Sequence, residues 1–259
     1  MQEVRRWIPY CGEAPSPEAW LGRWNDDPLL WAVLALLAVA LWWPARTTSA
    51  LPTAASASRR TALRWAWAFT ALLYLSPLCA LSSAFFTMRV VHHMALVLVV
   101  APLLAHGLEP ALRRLPAPLW PCTAIAALAF WTWHVPAPYA AALSSHAVYA
   151  LMQLSIAGSA LAFWLAVRRS GPAEALAAIL VTTVLMGLLG ALITFAARPL
   201  YEPHIASTLG WGVSPLEDQQ LAGIVMWAPG SIAYLLAAVW IGWRWMRVER
   251  DRRLRVEPA

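Results

Sequence analysis

The chain contains no lysine, and charged residues fill only 12% of its 259 positions. A soluble domain carries roughly twice that share, about 25%. This shortage excludes a soluble globular enzyme and a disordered chain, which both rest on a well-solvated surface. Cysteine is scarce too. Cys11, Cys79 and Cys122 are too few and too scattered for a disulfide framework or a CxxC metal site. The chain also lacks a nucleotide-binding glycine loop, a GxSxG elbow and an HExxH zinc motif. Residues 1–27 contain no apolar core of the kind a cleaved leader has. The first apolar run is therefore expected to act as its own insertion signal.

What is present is apolar. Hydrophobic residues make up 61% of the chain, and mean hydropathy is +0.58. Seven stretches approach the about 20 apolar residues that a membrane helix needs. They run roughly over 28–45, 62–81, 90–108, 119–136, 146–167, 174–196 and 220–243. The expected fold is an all-α polytopic membrane bundle of about seven transmembrane helices. Residues 1–27 form an outer N-terminal segment, 28–243 the bundle, and 244–259 a basic cytoplasmic tail. Asp27-Pro28 reads as a helix cap followed by proline at the first helical position. Ser214-Pro215-Leu216-Glu217 reads as a capping box that starts the last helix before its apolar run. Residues 46–61 read as a mobile small-residue linker. Pro77, Pro102 and Pro229 fall within spans and are expected to kink them. Gly187, Gly190, Ala191 and Thr194 form a small-residue face suited to close helix packing.

The positive charge sets orientation. With seven spans, 14 of the 19 arginines fall on the side holding Arg59, Arg60, Arg113, Arg114, Arg168, Arg169 and the C-terminal tail. Five fall on the other side: Arg5, Arg6, Arg23, Arg89 and Arg198. Cytoplasmic loops carry the excess of positive charge, so the N-terminus is expected outside and the C-terminus in the cytoplasm. The net charge of +6 thus records topology in a lipid bilayer and does not point to nucleic acid.

This orientation places five of the six histidines at the outer face. His92 and His93 open the third span, His134 closes the fourth, His146 opens the fifth, and His204 lies in the last outer loop. His106 alone lies at the inner end, where it and His146 read as hydrogen-bonded packing residues. Asp218 begins the seventh span, with Met226 two turns further on. Imidazole and thioether groups suit copper, thioether favouring Cu(I). Histidines just inside an apolar run are costly unless they have a task. The candidate metal ligands are therefore His92, His93, His134, His204, Asp218 and Met226. Asp218 also has a plain reading as a favourable charge at a helix N-terminus. Glu217, Asp218, Gln219 and Gln220 together exceed what capping needs. Cys11 and Cys79 both lie toward the outer side. A disulfide or a copper thiolate between them is open, with a free, inert Cys79 the favoured reading.

Several segments, in order, carry a resemblance. They are WIPYCGEAPSP (7–17), RWNDDP (23–28), SPLCALSSAFF (76–86), the His92-His93 helix ending at Ala101-Pro102, FWTWHVPAPY (130–139), LLGALITFAARPLY (188–201) and WGVSPLEDQQLAGIVMWAPG (211–230). Over nearly its whole length the chain resembles the CtaG-like cytochrome c oxidase assembly family of multi-pass bacterial membrane proteins. The resemblance implies a non-enzymatic role in forming respiratory oxidase in the bacterial cytoplasmic (inner) membrane. It implies transient copper handling at the outer face, with oxidase subunits and periplasmic copper chaperones as partners. His93 matches the later histidine of the family's His-Met-x-Gln-His segment, and His134 matches the histidine of its Trp-His-x-Pro segment. Arg89 stands at the earlier histidine position and His92 at the glutamine. Tyr149 and Gln153 occupy the places of a His-x-x-x-His pair found in many members. A metal-free scaffold that holds oxidase subunits or chaperones is the alternative these replacements favour. A proton-coupled carrier would want ionisable groups at the span centres, which read as apolar.

Overall fold

The computed structural model describes Trp7, residues 9–42 and residues 53–256. Among these residues there are helices and turns and no strand. The helices are α1 (Pro28–Trp42), α2 (Ala54–Leu75), α3 (Pro77–Ala84), α4 (Phe86–Ala95), α5 (Ala101–Leu112), α6 (Leu119–Trp133), α7 (Pro136–Ala142), α8 (His146–Arg169), α9 (Pro172–Thr194) and α10 (Pro215–Val256). A π-turn, Leu96–Val100, joins α4 to α5. Among the described residues, each of the seven apolar stretches is mostly helical.

Four helical runs are long and apolar enough to cross a membrane: Phe86–Leu112, His146–Arg169, Pro172–Thr194 and the run from Pro215. The count is five if α2 and α3, bent by 53° at Ser76-Pro77, form one span. Helices α1 and α6 are apolar but shorter. The apolar surface is turned outward, as lipid contact requires. Leu36 is 70% exposed, Leu154 72% and Val239 68%. The polar groups are inside: Arg89, His92, His93, His134, Gln153 and Asp218 are all buried.

Local chemistry explains the helix boundaries. Asp27 accepts the Leu29 N–H at 2.9 Å and caps α1. Tyr10 donates to the same carboxylate at 2.5 Å, which holds Asp27 below the usual carboxylate range. Ser214 and Glu217 form the expected capping box: Glu217 accepts from the Ser214 N–H at 2.9 Å, and Ser214 Oγ from the Glu217 N–H at 3.2 Å. The linker reading of 46–61 holds less well. Residues 46–52 lie outside the described residues, but Thr53 caps α2 through the Ser56 N–H, and 54–61 are helical. Alanine, serine and arginine in that stretch need only a cap to continue a helix.

Pro102 acts through its missing N–H. In the π-turn the Ala101 N–H reaches back to the Leu96 carbonyl. The next such bond, to Val97, would need an N–H that proline lacks. Trp164 Nε1 supplies it from α8, at 2.8 Å. The small-residue face is where α9 meets α10. A Cβ at Gly190 would stand 2.8 Å from the Gly223 carbonyl, and one at Gly223 would meet the Thr194 backbone N at 2.8 Å. Only glycine allows this backbone approach.

The expectation of a free Cys79 is overturned. Cys11 and Cys79 form a disulfide, with Cα atoms 5.2 Å apart. The N-terminal segment lies against the start of α8, where Tyr10 stacks on Tyr149 at 5.3 Å. That contact brings Cys11 to the base of α3. Arg89 also departs from its loop assignment. It lies in the first turn of α4 and is fully buried.

Candidate functional site

Helix α4 carries Arg89, His92 and His93 into the bundle, and the four-residue spacing puts Arg89 and His93 on one face. That face meets α8. Arg89 Nη1 donates to the Tyr149 hydroxyl at 2.9 Å, and its guanidinium lies 5.1 Å from the Tyr149 ring centroid. One turn deeper, His93 Nε2 lies 3.4 Å from Gln153 Nε2. The Gln153 carbonyl oxygen accepts from Tyr74 at 2.9 Å. Arg89, His93, Tyr149 and Gln153 thus meet across the α4–α8 pair.

His134 ends α6. Its Nδ1 lies 2.6 Å from the Phe130 carbonyl. A carbonyl only accepts, so Nδ1 carries the proton and Nε2 keeps its lone pair. That Nε2 is buried with no hydrogen-bond partner. The His93 and His134 rings stand edge to face at 5.4 Å between centroids. His93 Nδ1 is likewise buried and unpartnered, as are both ring nitrogens of His92. His92 lies 6.3 Å from His93 and packs against Tyr74 at 4.7 Å. Buried imidazole nitrogens of this kind are uncommon because each forfeits a hydrogen bond to water.

The remaining candidates are placed otherwise. Asp218 reaches from the start of α10 to the start of α4. Its oxygens accept from the Phe86 N–H at 2.7 Å and the Thr87 N–H at 3.1 Å, and the Thr87 hydroxyl returns a bond to the Asp218 carbonyl at 2.7 Å. The carboxylate is a helix cap supplied from a distant part of the chain. Gln219 beside it bonds Ile193 in the last turn of α9 and Arg198 and Leu200 in the loop after it. With the Glu217 capping box, these two roles account for three of the four polar side chains at 217–220. His204 is also committed: Nδ1 donates to the Ala84 carbonyl at 3.2 Å, and Nε2 accepts from Tyr139 at 2.6 Å. Burial, reinforced by the nearby Arg89 charge, pushes His204 down to about 3, so this ring is neutral. Met226 is fully buried in the core.

The structure thus brings His93 and His134 together, with His92 next to His93, and assigns His204 and Asp218 to holding loops and helix ends. Among the described residues, no group of three or more His, Cys, Asp and Glu side chains could hold a metal ion. His106 bonds Ser58 and Arg168, in keeping with packing. Tyr74, Tyr139 and the Phe130 carbonyl orient the site and carry no local sequence signal. Their roles depend on helices far apart in the chain.

No match is found among curated proteins or among solved structures. The family model described as cytochrome c oxidase caa3 assembly factor (Caa3_CtaG) matches residues 36–248, which hold the end of α1, α2 to α9, most of α10, and every histidine of the chain. By that match the chain belongs to the caa3-type cytochrome c oxidase assembly factor family.

Proposed function

We propose that this assembly factor carries Cu(I) transiently between His93 and His134 during maturation of a cytochrome c oxidase. The observation that carries the reading is the pair of buried imidazoles at 5.4 Å, each with one ring nitrogen, His93 Nδ1 and His134 Nε2, that no protein group satisfies. His134 already presents an unprotonated Nε2 toward such a task, fixed by its bond to Phe130. Imidazole suits copper, and Cu(I) tolerates few ligands. A low-coordinate site can release its ion, which a delivery role requires. His92 is the third candidate donor and Met226 a fourth from α10. His204 and Asp218 support the site by fixing the ends of α3, α4 and α7.

The reading includes seven spans in the bacterial cytoplasmic membrane, with the N-terminus and the histidine end outside. The arginine division supports that orientation. The Cys11–Cys79 disulfide supports it independently, since disulfides persist in oxidising compartments. Oxidase subunits and periplasmic copper chaperones are the partners this placement makes accessible.

Titration of the purified protein with Cu(I) under reducing conditions, against a competing chelator, tests the proposal. The wild type is expected to bind about one ion per chain, and His93→Ala and His134→Ala to bind at least about tenfold more weakly. Equal binding by all three proteins favours the metal-free scaffold, in which the same histidines only pack.

A further inference from the structure

The opposite end of the bundle holds a cleft of about 670 Å³ between α5, α8, α9 and α10. Its floor is apolar: Pro102, Trp164, Val167, Ala237 and Ile241 line it. Its mouth is basic: Arg168, Arg244 and Arg252 line it, with Glu249 the one acidic group there. Ser170 and Pro172 also border it. Helix α9 begins at Pro172 without a side-chain cap bond, so its N-terminal N–H groups add positive potential at the mouth. Trp240 and Trp245 stand at the same level, with the Arg244 guanidinium 4.8 Å from the Trp240 ring.

We propose that this cleft binds one anionic phospholipid, its phosphate held by Arg168, Arg244 and Arg252 and an acyl chain lying along the floor. The site is graded as a lipid is graded. From Ala237 to Arg252 the lining runs along 15 residues of helix, about 22 Å, which spans a headgroup and part of a chain. Three arginines around one acid give a net positive mouth, so a zwitterionic lipid gains less there than an anionic one. Tryptophan at the boundary between apolar and wet surface is the usual company of a headgroup, and basic pockets at the cytoplasmic ends of spans are recurrent sites for anionic lipid. Arg168 is oriented by His106, 3.1 Å from its Nη2, which gives that inner-end histidine a role. The inference does not depend on copper at the other end.

The test uses the full-length protein delipidated in detergent. Thermal unfolding is followed with added phosphatidylglycerol, phosphatidylcholine or inorganic phosphate. Phosphatidylglycerol is expected to raise the midpoint by several degrees in a saturable way, and the other two to have little effect. Arg244→Gln/Arg252→Gln is expected to weaken the phosphatidylglycerol response about tenfold or more while keeping wild-type helicity. Ala237→Trp, which fills the floor and leaves every charge in place, is expected to abolish it. Equal responses to phosphatidylglycerol and phosphatidylcholine overturn the proposal. So does an equal response to free phosphate, or an Ala237→Trp protein that responds like the wild type.

Discussion

Replacing either His93 or His134 with alanine is expected to lower the activity and the copper content of the served oxidase by about tenfold or more, while the assembly factor still accumulates. The magnitude follows from a site with few ligands, where loss of one donor costs more than the 10–100-fold typical of losing an outer partner. The accumulation follows from the local structure. Neither ring makes a hydrogen bond on which a helix end depends, apart from the His134 contact to Phe130 within its own turn. His204→Ala should behave in the opposite way. It breaks the bonds to Ala84 and Tyr139 and so loosens the loop after α9, lowering the amount of folded protein. Quantifying oxidase copper alongside the level of the assembly factor separates the two. Normal oxidase in both the His93 and His134 variants would contradict the copper reading.

Asp218→Ala is expected to be the most destabilising of the substitutions at this end of the bundle, by about 2–4 kcal/mol. The carboxylate satisfies the buried Phe86 N–H and the part-buried Thr87 N–H at the first turn of α4. Its removal leaves both donors without a partner and frees the start of α10 from α4. Native proteins have only about 5–15 kcal/mol in reserve, so this is a large share of it and the unfolding midpoint should fall clearly below that of the wild type. Asp218→Asn, which keeps one acceptor, should fall between. Thr87→Val removes only the returning hydroxyl bond and should cost about 1 kcal/mol. Thermal unfolding in detergent gives the order. A stable Asp218→Ala protein that has lost only Cu(I) binding would make Asp218 a ligand and not a cap.

Those two residues mark how far the sequence could be read. The apolar runs, the Asp27 cap, the Ser214 box and the glycine face at 187–194 depend on neighbours within a few positions, and all appear in the structure. His93 and His134 could be singled out because each is a polar group inside or beside an apolar run. What could not be read are pairings across many residues. Asp218 caps a helix that begins 132 residues before it, and local spacing made it look like a ligand or a cap of its own helix. His204 bonds Tyr139 across 65 positions. Cys11 and Cys79 meet across 68, through a stacking contact of Tyr10 that no motif announces. Arg89 looked like a loop residue because it stands beside a helix start, but α4 begins at Phe86 and carries it inward. Its bond to Tyr149 pairs Nη1 alone, and Nε and Nη2 are buried without a hydrogen-bond partner.

Arg89, Tyr149 and Gln153, which bond around His93, narrow the chemistry available to the proposed site. A larger multi-histidine cage is not what these helices build. Two imidazoles set edge to face remain, oriented by the Phe130 carbonyl on one side and Gln153 on the other. Under the proposed reading, the ion held there would be soft, weakly bound and passed on.

X-ray absorption at the copper edge of the Cu(I)-loaded protein is the most direct measurement of that claim. A low-coordinate Cu(I) spectrum with nitrogen scattering from imidazole, lost in His134→Ala, is the predicted result. A spectrum of sulfur ligands alone, or one that His93→Ala and His134→Ala leave unchanged, would contradict it.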